Sequence, residues 1–220
     1  MILHIPHAGT NTLGRDIEKF DIDELTDWHT DKLFCHPNSD SLIQDVSRFV
    51  CDVERFPDDQ EEMFKLGQGI CYTKGTRNND IVVIDKEYII ENIYNKWHIE
   101  LNKTVEKQLL YKSPIVVVDC HSFPDKKGYP DFCIGTTEQT PNELVELVKL
   151  FLKDYDVKIN YPYSGSMIPT NYIGNKNVIS IMIEVNKRLY MSNKGDFDKT
   201  KHLIYQVLDV ISEYEIKKTL

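Results

Sequence analysis

The sequence predicts an α/β fold, a mixed and mostly parallel sheet sandwiched by helices. The runs 115–118 and 178–183 are almost wholly apolar and β-branched, broken only by Ser180, as strands covered on both faces should be. Such runs alternate with segments whose apolar positions recur every three or four residues, the pattern of helices packed on a sheet. Histidines and carboxylates follow directly on the apolar runs, where open α/β sheets place their ligand crevices.

Strands are expected over 1–5, 42–53 (centred on 49–53), 115–118, 132–134, 157–161 and 178–184. Helices are expected over 21–34, 85–110, 142–154 and 197–216. In the first of these helices Asp27 and Asp31 stand four apart, which would put both carboxylates on one face. In the second, Ile89, Ile93, Trp97, Leu101 and Val105 make the buried stripe, with Tyr94 and His98 along an adjoining face. Residues 58–80 are polar, carry Gly67, Gly69 and Gly75, and read as an excursion that forms a lid or rim. The loop from Tyr161 to Pro169, rich in hydroxyls and glycine, is suited to setting backbone amides around a polar substrate.

With 220 residues and no evident linker, the chain reads as one domain over 1–220. A formal charge of −9 argues against a general nucleic-acid binder, which needs a basic face. No apolar run approaches the roughly 20 residues of a membrane span, and the N-terminus lacks the pattern of a signal peptide, so a cytoplasmic protein is expected. Five cysteines without a Cys-x-x-Cys pair suggest neither a disulfide framework nor a zinc knuckle. The sequence carries no readable oligomer pattern.

His7, held between Pro6 and Gly9 after the first strand, His121 in Asp119-Cys-His-Ser, Arg55 after the second strand and Glu184 after the last would share one rim of a parallel sheet. Read singly, each has a bland alternative: a turn histidine, a capping Asp-x-His, a surface ion pair of Arg55, or a bridge from Glu184 to Lys187 or Arg188. Together they supply two imidazoles and, with one carboxylate from a nearby helix, an open zinc site. A carboxylate to move protons and a guanidinium fork for an anionic substrate complete the set.

Six blocks, in order, resemble the landmarks of the N-formylglutamate amidohydrolases. They are Pro6-His7-Ala8-Gly9-Thr10, Asp27-Trp-His-Thr-Asp31-Lys-Leu33, Arg48-Phe-Val-Cys-Asp-Val-Glu-Arg55, Asp119-Cys-His-Ser-Phe-Pro124, Pro130-Asp131, and Ile183-Glu-Val-Asn-Lys-Arg-Leu-Tyr-Met191. The resemblance implies a phosphorylase/hydrolase-like fold similar to that of the zinc carboxypeptidases, and metal-dependent hydrolysis of an amide on an acidic amino acid. It implies His7 and His121 as metal ligands for Zn2+ or another divalent ion, and Glu184 as general base. For the third ligand, position 10 is a threonine where the carboxypeptidase pattern has a glutamate, which leaves Asp31, with Asp27 or His98 as alternatives. Arg55, Arg48, Asp52, His98, Ser122 and Tyr190 are the substrate-binding residues it implies for a small anionic substrate. One departure stands out: the family's Asp-x-Asn-Arg is here Asp52-Val-Glu54-Arg55, with an acid beside the clamp. A zinc peptidase or amidase on small peptides or cell-wall fragments, and a binding protein without turnover, are the competing readings.

Overall fold

The computed structural model describes residues 1–57 and 62–219, so residues 58–61 of the expected excursion lie outside the described residues. Six strands, β1 (Ile2–Ile5), β2 (Asp40–Ile43), β3 (Ile115–Phe123), β4 (Phe132–Gly135), β5 (Val157–Ile159) and β6 (Val178–Asn186), form one sheet. Their order is β2-β1-β3-β6-β4-β5. β1, β3 and β6 run parallel, β4 runs antiparallel to β6, and β5 runs parallel to β4. The fold is the expected α/β class, with a mixed and mostly parallel sheet. Among the described residues, no helix is long and apolar enough to cross a membrane.

The chain clusters in two units. Unit 1 comprises Met1–Ile5, His29–Leu42 and the chain from Asn102 onward. It holds the central strands, the one-turn helix α2 (Thr30–Leu33), and two longer helices, α5 (Asn142–Phe151) and α6 (Phe197–Thr219). α6 buries Ile204, Val207, Leu208 and Ile211 and packs against β3, α2 and α5. Near its end the buried Glu215 accepts the Val116 N–H (2.8 Å) and a bond from Lys112 (2.5 Å). The carboxylate thus satisfies a backbone donor at the start of β3 that would otherwise be costly to bury.

Unit 2 comprises Pro6–Trp28 and Ile43–Leu101. It carries α1 (Lys19–Leu25) and the helical stretch α3 (Lys86–Ile89), a π-helical segment (Ile90–Tyr94) and α4 (Asn95–Leu109), whose last residues belong to unit 1. Its core gathers Val46, Val50, Cys51, Val53, Ile70, Cys71, Ile89 and Tyr94, and a second cluster joins Phe49, Tyr72 and Ile81. The five cysteines are free, and burial pushes the Cys51, Cys71 and Cys133 thiols up, which keeps them protonated and inert.

Three sequence expectations are corrected. The apolar run 49–53 is fully buried but lies in turns, and the strand near it is the short β2. An apolar run bounded by turns reports burial, and here the burial is achieved without a ladder. The helix expected over 21–34 breaks: Thr26 is extended (ψ 132°), and His29 sits in the left-handed region at φ 65°. Asp27 and Asp31 therefore share no helical face. Finally, β3 and β6 run past their apolar halves, so that Asp119, His121 and Glu184 lie inside the strands rather than beyond them.

Candidate functional site

In unit 1 the chemistry is set by strand register. In parallel strands, paired residues share a sheet face, and alternate residues of one strand do too. His4 pairs with Asp119, and His121 pairs with Glu184. Across the antiparallel ladder Cys133 pairs with the same Glu184. His4, Asp119, His121, Glu184 and Cys133 therefore line one face of the sheet, and all are buried. Asp119 Oδ1 accepts from His4 Nδ1 at 2.8 Å and from His121 Nε2 at 3.0 Å, while Oδ2 accepts the Met167 N–H at 2.8 Å. Burial pushes the Asp119 carboxyl up, but charge and hydrogen bonds from His121 and His4 outweigh it and hold the group well below the usual carboxylate range.

Arg188, one of the proposed structural partners of Glu184, is committed elsewhere. Its Nε and Nη2 donate to Asp131 Oδ1 (3.0 and 2.8 Å), and Nη1 donates to Asp125 Oδ1 (2.9 Å) and the Tyr129 carbonyl (3.0 Å). The bland reading of Glu184 as an Arg188 bridge thus loses its partner.

In unit 2 the centre is Asp52, fully buried. Its Oδ1 accepts from His7 Nε2 (2.9 Å) and the Glu54 N–H (3.1 Å). Its Oδ2 accepts from Arg48 Nη2 (2.9 Å) and Nε (3.2 Å) and from the Tyr72 hydroxyl (2.9 Å), with Arg55 Nε 3.7 Å away. Burial opposes its charge, but Arg48, His7 and Arg55 overcome this and hold the carboxyl well below its usual range. For His7 burial and Arg48 both press downward, yet Asp52, Glu54 and Asp27 raise it in balance. Burial is also the largest reason the Tyr72 phenol is pushed up to about 12. The turn that presents His7 packs tightly, since a Cβ on Gly9 would meet the Asp45 carbonyl carbon and oxygen at 2.4 Å.

Of the two candidate carboxylates, Asp27 is the one unit 2 sets beside His7. Its backbone N–H donates to the His7 carbonyl (3.0 Å), and its Oδ2 stands 3.8 Å from His7 Nδ1. Asp31 is half-buried on α2 in unit 1. His98 holds its Nε2 2.9 Å from the Val53 carbonyl and packs its ring on Tyr94, which is the bonding of a core histidine. Arg48 and Asp52 are turned on each other, whereas Arg55 keeps 26% of its side chain exposed. Ser122, next to His121 in the strand, faces the opposite side of the sheet by alternation. Tyr190 is buried with its ring edge against Phe197.

Two participants escaped the sequence reading. His4 left a usable signal, a histidine inside the all-buried strand Ile2–Ile5, which must find a polar partner to be tolerated. Tyr72 left none, because it lies in irregular structure and reaches Asp52 only through tertiary packing.

Each unit offers donor types suited to a divalent metal: the imidazoles of His4 and His121 and the carboxylate of Asp119 in unit 1, and the imidazole of His7 and the carboxylate of Glu54 in unit 2. His7 and His121 share a further feature. Each sets Nε2 against a buried carboxylate, Asp52 or Asp119; a neutral ring that carries its proton on Nε2 toward that carboxylate has Nδ1 as its electron-pair donor. For His7, that Nδ1 stands 3.8 Å from an Asp27 oxygen. Two ligand atoms at about 2.1 Å from one tetrahedral ion lie about 3.4 Å apart, so the pair suits a shared cation. The residues present fit the group.

A sequence model of the N-formylglutamate amidohydrolase family matches residues 1–191. Among solved structures, an N-formylglutamate amidohydrolase from Ralstonia eutropha JMP134 shares the fold with a TM-score of 0.83 at 21% identity, covering 99% of this chain and 94% of that one. A gene product of Agrobacterium tumefaciens aligns with a TM-score of 0.68 at 16% identity, covering 98% of this chain and 90% of that one. No curated protein matches in sequence. With the family's sequence pattern running through both units and its fold reproduced, this chain belongs to the N-formylglutamate amidohydrolase family.

Proposed function

We propose that the chain hydrolyses the amide of an N-formyl or N-acyl amino acid, with Zn2+ or a similar divalent ion held by His7, His121 and a carboxylate of unit 2. The geometry supports Asp27 as that carboxylate, ahead of Asp31, through its approach to His7 Nδ1. The ion, when bound, would polarise the scissile carbonyl and lower the pKa of a water molecule. The chain's own residues supply the rest. Asp52 and Asp119 orient the two imidazoles from behind. Glu184 takes the proton of the attacking water and returns it to the nitrogen as the C–N bond breaks, leaving a carboxylic acid and a free amino acid. Arg55, the more exposed arginine of the pair, orients the substrate carboxylate, with Arg48 and Asp52 positioning it. A small anionic substrate met in the cytoplasm fits this chemistry, and the free cysteines accord with that setting.

The observation that carries this reading is the register of His121 with Glu184, which sets a metal-ligand type and a proton shuttle side by side on one face. The test is metal content by elemental analysis with a hydrolysis screen of N-formyl and N-acetyl amino acids. His7→Ala and His121→Ala should each lose most of the metal and the activity. Full metal in both variants overturns the ligand assignment, and bound metal without turnover of any amide in the screen turns the reading to a binding protein.

A further inference from the structure

Beyond Glu184, the same sheet face ends in an aromatic wall. Phe123 follows His121 by two residues on β3 and so shares its face, and it packs with Cys133 and Met182, with Tyr129 against them. Ring centroids of Phe123 lie 5.9 Å from Tyr129 and 6.1 Å from Tyr163, and Tyr129 lies 6.0 Å from Tyr161 in an edge-on arrangement. The Cys133 thiol, paired in register with Glu184, donates to the Tyr163 carbonyl at 3.2 Å. The wall is therefore next to the proton shuttle. Tyr161 and Tyr163 remain 49% and 41% exposed, so large ring surfaces still face outward.

The segment that brings the tyrosines here is pinned. Gly135 meets Gly165 so closely that a Cβ would lie 2.0 Å from the Gly165 carbonyl oxygen. The Ser180 hydroxyl bonds the Met167 carbonyl (2.6 Å) and the Ser166 hydroxyl (2.5 Å), and the Met167 N–H reaches Asp119. The Ser166 hydroxyl and the Met167 amide are thus used internally. The loop turns outward the rings of Tyr161 and Tyr163, with Ser164 beside them.

A glutamate side chain bound here would need a cation. Arg188 is the arginine that unit 1 offers, and Asp131, Asp125 and the Tyr129 carbonyl occupy its donors. Lys126 and Lys127, before Tyr129, are exposed to solvent, where charge pairing is worth little.

Resting on the hydrolase reading above, we propose that Tyr161 and Tyr163, backed by Tyr129 and the buried Phe123, form the side-chain subsite of this enzyme, and that it selects N-acyl amino acids with aromatic side chains over N-acylglutamate. Edge-on and offset ring contacts reward an aromatic guest beyond the area it buries.

The test compares binding of N-formyl-L-phenylalanine and N-formyl-L-glutamate to the metal-loaded protein by calorimetry, independently of turnover. The phenylalanine derivative should bind about tenfold more tightly, the scale of one or two ring contacts. Tyr163→Ala should bring that ratio close to one, Tyr161→Ala should lower it, and Tyr163→Phe should keep it. A preference for glutamate, binding of neither compound, or a ratio untouched in both alanine variants overturns the subsite. Selective binding of the phenylalanine derivative without hydrolysis would leave the subsite standing and remove the hydrolase reading.

Discussion

Tyr72 shows how one side chain records the electrostatics around it. It is buried, it donates to Asp52, and it receives the Arg48 Nε–H at 3.1 Å. Burial is the chief reason its phenol is raised to about 12, where an unfolded tyrosine ionises near 10. A folded pKa above the unfolded one means the native state holds its proton longer. The contribution is fully present below pH 10 and is lost as pH rises from about 10 to 12, amounting to about 2–3 kcal/mol. Difference absorbance between wild type and Tyr72→Phe should show one phenol ionising near 12, and the variant's stability should fall less steeply over that window. A Tyr72 that titrates near 10 would contradict the buried network. At the same scale, Arg55→Lys keeps the charge but loses the planar fork, so KM should rise about tenfold while kcat changes less. Unchanged KM with collapsed kcat in steady-state assays would move Arg55 into the transition state.

At the scale of elements, the close pass of β4 under the 161–167 loop makes a sharp prediction. An alanine at position 135 would drive its Cβ into backbone, the Gly165 carbonyl, and into Met182. Overpacking of this kind costs about 1–3 kcal/mol. Gly135→Ala should shift the denaturant midpoint accordingly and weaken selection among acyl amino acids; a variant of wild-type stability would show that the loop is not pinned there. Elements also mark how far the sequence could be read. The apolar halves of β3 and β6 were legible because uninterrupted β-branched residues admit few other places. Their polar halves were not, because Asp119, His121 and Glu184 resemble strand-ending residues until cross-strand pairs are known to satisfy them. The break between Asp27 and Asp31 was hidden for a similar reason. Nothing in 26–29 is a strong helix breaker, and the turn is held by tertiary bonds such as Asp27 N–H to the His7 carbonyl.

For the whole molecule, the ordered blocks from Pro6 to Met191 carried the family and the fold class, and the family match over residues 1–191 bears this out. The side-chain partners that make those blocks into dyads, His4 with Asp119 and His7 with Asp52, depend on register and packing that no spacing encodes. If the dyads hold an ion, the native state binds it and the unfolded chain does not, so stability follows metal concentration. At free metal a hundredfold above Kd the gain is about 2.7 kcal/mol. Chelation should lower the thermal midpoint of the wild type and leave His121→Ala unmoved; equal midpoints with and without chelator in the wild type would argue against a resident ion.

The account turns on Glu184 as the group that moves the proton, and Glu184→Gln tests it most directly because it keeps the shape and removes the base. Metal content and kcat should be measured on the same preparation. The account predicts full metal, a native unfolding transition, and kcat lower by about 10²-fold or more on an N-acyl amino acid that the wild type hydrolyses. A variant with full metal and wild-type kcat would contradict it.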